Sequence, residues 1–95
     1  MTQQEPTPAA EETLIEFPTH FPIKVMGETH DDFTLEITRV IQTHLPDFDA
    51  SLIEMRSSSN GKYLSLTCLV YVVSKPQLDD IYRSLTAHPM VKVTL

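Results

Sequence analysis

Six consecutive residues, Gly27-Glu28-Thr29-His30-Asp31-Asp32, hold the densest set of reactive side chains in the sequence. Carboxylates and an imidazole are ligands for hard or borderline cations. Neighbours on a helix point about 100° apart, however, so four in a row do not converge on one ion. Acids at a helix start also complement its positive end without any ligand. The segment therefore reads as a loop feeding a helix, and no metal is expected. A phosphate-holding loop of the acylphosphatase type needs an arginine here, and a copper carrier needs a Cys-x-x-Cys pair. This loop contains neither.

The remaining reactive residues give no catalytic arrangement. Ser57-Ser58-Ser59-Asn60-Gly61-Lys62 superficially resembles a phosphate loop. A Walker motif needs an earlier spaced glycine, Ser or Thr after the lysine, and a following helix. Tyr63 and a strand-like run follow instead. Asn60-Gly61 is a hairpin signal, because a type I′ turn needs positive φ at both central residues. Cys68 alternates with aliphatic residues and has no flanking cation to stabilise a thiolate. His20, His44 and His88 are scattered, and no Ser/His/Asp or Cys/His spacing emerges. No catalytic residue and no cofactor are assigned.

The elements that position these residues follow from periodicity. Residues 1–13 are Gln, Glu, Thr, Pro and Ala without a pattern, which reads as a disordered tail ahead of a single domain over residues 14–95. Phe21 to Met26 alternates as a strand, with Phe21, Ile23 and Val25 on one face and Lys24 and Met26 on the other. Pro22 fits near a strand start, and Gly27 ends the strand. Thr29 is then the expected N-cap of a helix running to about Leu45, with Phe33, Ile37, Val40 and Ile41 on its apolar stripe.

Ser51 to Ser57 is expected as a second strand, with Ile53 and Met55 inward. Tyr63 to Val73 forms a third, with Leu64, Leu66, Cys68, Val70 and Val72 on an unbroken apolar face. Ser74 caps a second helix, with Gln77 at capping-box spacing and Pro76 in the first turn. Leu78, Ile81, Tyr82 and Leu85 form its stripe. Met90 to Leu95 is the last strand, with Val91, Val93 and Leu95 assigned inward and Met90, Lys92 and Thr94 outward. The order β-α-β-β-α-β predicts an α+β, ferredoxin-like sandwich. Its four-stranded antiparallel sheet has the first and third strands in the centre and two helices on one face.

Bulk properties narrow the function. The chain has 95 residues and a net charge of −6. An acidic chain lacks the cationic surface that drives nonspecific nucleic-acid binding. No run approaches the roughly 20 apolar residues of a membrane span. One cysteine forbids an internal disulfide. Cytoplasmic location is expected, with no nucleic-acid and no membrane partner.

Helices on one face leave the other face of the sheet open. It is expected to carry Lys24, Met26, Leu52, Glu54, Arg56, Ser65, Thr67, Leu69, Tyr71, Val73, Met90, Lys92 and Thr94. Such a concentration of apolar side chains marks a contact surface. Long cationic stems can also shield part of it. An RNA-binding sheet would use this face too, but the aromatic motif of its third strand is missing.

Glu16-Phe17-Pro18, Phe21-Pro22-Ile23-Lys24-Val25-Met26-Gly27, the Ser57–Tyr63 hairpin and His88-Pro89-Met90-Val91-Lys92-Val93-Thr94-Leu95 resemble the YbeD-like family of small uncharacterised bacterial proteins. A lysine usual before the hairpin glycine is Asn60 here. The resemblance implies a bacterial, cytoplasmic protein with an ACT-like, ferredoxin-like regulatory domain and no established activity. Fold and gene neighbourhood associate the family with metabolic regulation near lipoate attachment, a link that does not fix function.

The resulting expectation is a non-enzymatic regulatory or protein-interaction module. By analogy with ACT-type effector sites, Gly27, Glu28, Thr29 and Asp31 would take a small metabolite. Lys24, Arg56, Tyr71 and Lys92 would meet a protein partner, or a second copy, through the open sheet face. The alternative is a small enzyme with an unrecognised site.

Overall fold

The computed structural model describes residues 15–95. The expected N-terminal tail lies outside the described residues. The elements are β1 (Thr19–Glu28), α1 (Phe33–His44), a short 3-10 turn (Ala50–Leu52), β2 (Glu54–Ser57), β3 (Tyr63–Val72), α2 (Lys75–Ala87) and β4 (Val93–Thr94). The sheet order is β2-β3-β1-β4, with antiparallel neighbours throughout. This is the expected ferredoxin-like α+β sandwich.

The two central strands build the core by strict alternation. Ile23 and Val25 of β1 and Leu66, Cys68, Val70 and Val72 of β3 are fully buried. Phe33, Ile37 and Ile41 of α1, with Leu78, Ile81 and Leu85 of α2, close over them. Two side-chain contacts tie the helices together. His44 Nε2 lies 2.8 Å from Ser84 Oγ, and His88 Nε2 lies 3.4 Å from a Glu36 carboxylate oxygen. Thr38 is buried among the aliphatics, and its hydroxyl donates to the Thr34 carbonyl at 2.8 Å. That bond removes the cost of an unpaired buried hydroxyl.

β1 begins at Thr19 and runs past Gly27 to Glu28, longer at both ends than its alternation suggests. Pro22 therefore sits inside a central strand. Lys24 exchanges backbone bonds with Leu95 at 3.0 and 2.8 Å, which places the even-numbered peptide groups of β1 toward β4. No described residue pairs with Pro22 on that side, so its missing N–H leaves no ladder bond unmade among the described residues.

Four expectations need correction. Thr29 is not the helix cap: Asp32 holds that position, and its N–H is accepted by His30 Nδ1 at 3.0 Å. The Thr29 hydroxyl instead donates to the Gly61 carbonyl at 2.6 Å. The second strand is shorter, because the 3-10 turn, capped by the Asp49 side chain, occupies Ala50–Leu52. Met55 lies on the helix side, opposite Leu66 and with its sulfur 3.8 Å from the Thr34 hydroxyl of α1, yet is 62 % exposed on the edge strand.

The hairpin is wider than a two-residue type I′ turn. Ser58 and Tyr63 still pair, and Gly61 adopts φ 74 while donating to the Ser58 carbonyl. Asn60 Oδ1 accepts from the Lys62 N–H and the Ser58 hydroxyl, both at 3.0 Å, so the asparagine organises the loop with its side chain.

Val91 packs inward and Lys92 is exposed as expected, but from Val93 on the last strand is reversed relative to expectation. Thr94 pairs with the buried Val25 and so shares the helix face, where its hydroxyl lies 3.0 Å from that of Thr86 in α2. Val93, paired with Met26, and Leu95, bonded to Lys24, lie on the open side. Met90, expected outward, packs against the core.

Candidate functional site: the open sheet face

The register fixes the open face as cross-strand rows. Arg56, Ser65, Met26 and Val93 form one row, and Glu54, Thr67 and Lys24 form the next, ending at Leu95. Farther along β1 and β3, Pro22 stands beside Leu69 and His20 beside Tyr71. The His20 and Tyr71 rings lie 4.8 Å apart between centroids. Alternation puts every one of these side chains opposite the core. Tyr71 is 51 % and Leu95 68 % exposed, and Met26, Leu69 and Val93 are exposed to a lesser degree.

Lys24 and Arg56 stand in the polar centre of this face, in a shallow depression of about 590 Å³ shared with Glu54, Ser65 and Thr67. Among the described residues neither cation forms an ion pair. Two unpaired cations flanked by Met26, Leu69, Tyr71, Val93 and Leu95 give a surface with a charged middle and apolar ends. Of the four residues assigned to a protein contact, Lys24, Arg56 and Tyr71 share this face. Lys92 lies at its β4 margin, with its ammonium 3.8 Å from the Glu28 carboxylate. Val93 and Leu95 are face residues that sequence alternation assigned to the core.

The residues assigned to a small ligand, Gly27, Glu28, Thr29 and Asp31, are adjacent but differently engaged. Gly27 is buried, and a Cβ there would overlap the Met90 carbonyl oxygen and lie 2.8 and 2.9 Å from Phe33 ring carbons. Thr29 is tied to the hairpin by its hydroxyl and by its N–H, which donates to the Lys62 carbonyl at 2.9 Å. The Phe33 N–H at the start of α1 is taken by the His30 carbonyl at 3.1 Å. Glu28 and Thr29 line a small cleft of about 230 Å³ with His30, Met90 and Lys92; Asp31 is exposed outside it.

Chemistry elsewhere is muted. Burial pushes the Cys68 thiol from an ordinary 9.0 up to about 12, which keeps it protonated. Burial also raises the Tyr82 phenol, whose hydroxyl donates to the Leu95 carbonyl at 3.1 Å. Among the described residues, no group of three or more His, Cys, Asp or Glu is placed to hold a metal ion. None of their helices is long and apolar enough to cross a membrane.

Fold and face together define a ferredoxin-like domain with one sheet surface that no described element covers. The chain belongs to the DUF493 family, described as a protein of unknown function, whose model matches residues 12–95. This is the YbeD-like grouping, also named UPF0250. The UPF0250 protein RSc0326 of Ralstonia nicotianae is 53 % identical over 97 residues, covering both chains in full. The UPF0250 protein NE1487 of Nitrosomonas europaea is 49 % identical over 85 residues, covering 90 % of this chain and 98 % of that one. The solution structure of protein HP0495 from H. pylori superposes with a TM-score of 0.73 at 20 % identity, covering 98 % of each chain. That likeness supports the fold.

Proposed function

We propose that this chain is a non-enzymatic interaction module that presents its open sheet face to a protein partner in bacterial regulation. The observation that carries this reading is the face itself. Met26, Leu69, Tyr71, Val93 and Leu95 stay exposed around Lys24 and Arg56, two cations without a described partner. Apolar area of this kind is favourable to cover, and unpaired cations at its centre select an acidic counterpart. A metabolite at the β1–α1 loop receives less support. Gly27 has no space beside it, and Thr29 has committed both its hydroxyl and its N–H.

The test is affinity capture from a lysate of the bacterium that carries the chain, read by quantitative mass spectrometry. The bait is compared with a Lys24→Glu, Met26→Glu, Arg56→Glu variant of equal melting temperature. A protein enriched by the native bait and lost with the variant supports the reading. Enrichment indifferent to these three substitutions removes it. A melting shift with a small metabolite, unaffected by them, would move the function to the β1–α1 loop.

A further inference from the structure

β3 extends beyond its partner on one side. β2 stops at Glu54, opposite Thr67, whereas β3 continues to Val72. The direction of the backbone groups in that overhang follows from the sheet register. Lys24 bonds Leu95, so the odd residues Ile23 and Val25 of β1 face β3, opposite Cys68 and Leu66. In β3 the even residues therefore serve β1, and Leu69, Tyr71 and Val73 aim their N–H and C=O groups at the other edge. The Val73 N–H is accepted by the Gln77 side chain at 2.8 Å. No described residue takes the N–H or C=O of Leu69 or Tyr71 on that side.

These two peptide units border a groove of about 400 Å³ between β3 and the connection from α1 to β2. The 3-10 turn creates it, since a continued β2 would have paired along Leu69 and Tyr71. Phe48, Leu52, Leu69 and Tyr71 supply apolar wall, and Asp47 and Asp49 supply exposed carboxylates. Hydrogen bonds from the Ser51 hydroxyl and N–H lower the Asp49 pKa, so its charge persists into acid. Among the described residues no lysine or arginine pairs with either carboxylate.

A row of unpaired donors and acceptors at strand spacing is matched by one kind of ligand, another extended backbone. A second copy of this chain fits the charge poorly. Pairing two such edges would bring Asp47 and Asp49 of both copies together, in chains that each carry a net charge of −6. We infer that the free edge of β3 receives an extended segment of another protein, bearing lysine or arginine, as an added strand along Leu69 to Tyr71. The inference deepens the interaction reading; Leu69 and Tyr71 belong to both surfaces, but the groove includes neither Lys24 nor Arg56.

The probe is a synthetic peptide, acetyl-Lys-Val-Thr-Val-Lys-amide, titrated into the full ¹⁵N-labelled chain and followed by amide NMR. The expected result is saturable shifts at Leu69 and Tyr71 with slowed hydrogen exchange of those two amides. Asp47→Lys should weaken binding about tenfold or more, and replacing the peptide lysines with glutamate should do the same. N-methylation of the central peptide residues should abolish binding, because it removes backbone donors. The Lys24→Glu, Met26→Glu, Arg56→Glu variant should bind the peptide normally, which separates this test from the capture experiment. Absent shifts, shifts outside the groove, equal binding of the N-methylated peptide, or indifference to Asp47→Lys would each overturn the inference. Concentration-dependent shifts at Leu69 and Tyr71 without peptide would assign the edge to a second copy and overturn it too.

Discussion

Cys68 reads in the sequence as a member of the apolar face of β3 and Gly27 as a strand end, and the structure gives each a packing role. The Cys68 thiol ionises at about 12 in the folded chain and near an ordinary 9.0 once exposed. A raised folded-state value stabilises the fold fully below pH 9.0, and that contribution is lost as pH rises toward 12. Denaturation followed from pH 8 to 11 should therefore show Cys68→Val gaining on the native chain, by about 1–3 kcal/mol at the top. A pH-independent difference would mean that the thiol is solvated. Gly27 has no positive φ to justify it; the residue is small because β1 passes directly over Phe33 and the Met90 carbonyl. Gly27→Ala should cost roughly 1–3 kcal/mol, as overpacking does, measured by urea melting. A neutral Ala would mean that the β4 approach yields easily. The burial of Cys68 was legible in the alternation of β3; the Met90 approach to Gly27 was not, because it depends on a residue far away along the chain.

Among the elements, periodicity located both helices and the two central strands, because each buries one face against a continuous core. It failed where an element is short and lies at an edge. The run Val91-Lys92-Val93-Thr94-Leu95 alternates cleanly, yet alternation gives two sets of residues without saying which set is inside. The assumption that the more apolar set is buried breaks down on a sheet whose open face is itself apolar. The pairing of Thr94 with Val25 decides the matter. Val93→Lys should then change stability by less than about 0.5 kcal/mol, as surface substitutions usually do. Thr94→Lys should cost on the order of 1 kcal/mol, since it removes the hydroxyl contact with Thr86. The opposite ranking in chemical denaturation would restore the inward assignment of Val93. The 3-10 turn escaped the sequence reading for a related reason: Asp49 and Ser51 cap it locally, and Leu52-Ile53 beside them resembles a strand.

At the scale of the molecule, the sheet divides labour between its two faces. Among the described residues, the thirteen buried apolar ones lie between the helices and the sheet, so the opposite face contributes little to the core. The open face was legible as a list of residues, and Lys24, Arg56 and Tyr71 were placed on it correctly. Its β4 border and the groove beside β3 were not legible, because both come from the register of edge strands. If the face is a docking surface, its apolar members are dispensable for folding. Met26→Gln, Leu69→Thr and Val93→Thr combined should leave the melting temperature within a few degrees, since exposed truncations create no cavity. The same variant should bind much less of a hydrophobic reporter dye than the native chain does. A melting temperature lowered by well over ten degrees would show that these side chains pack intramolecularly. The sheet would then be closed on both sides, and the partner would have to be sought at the β3 edge alone.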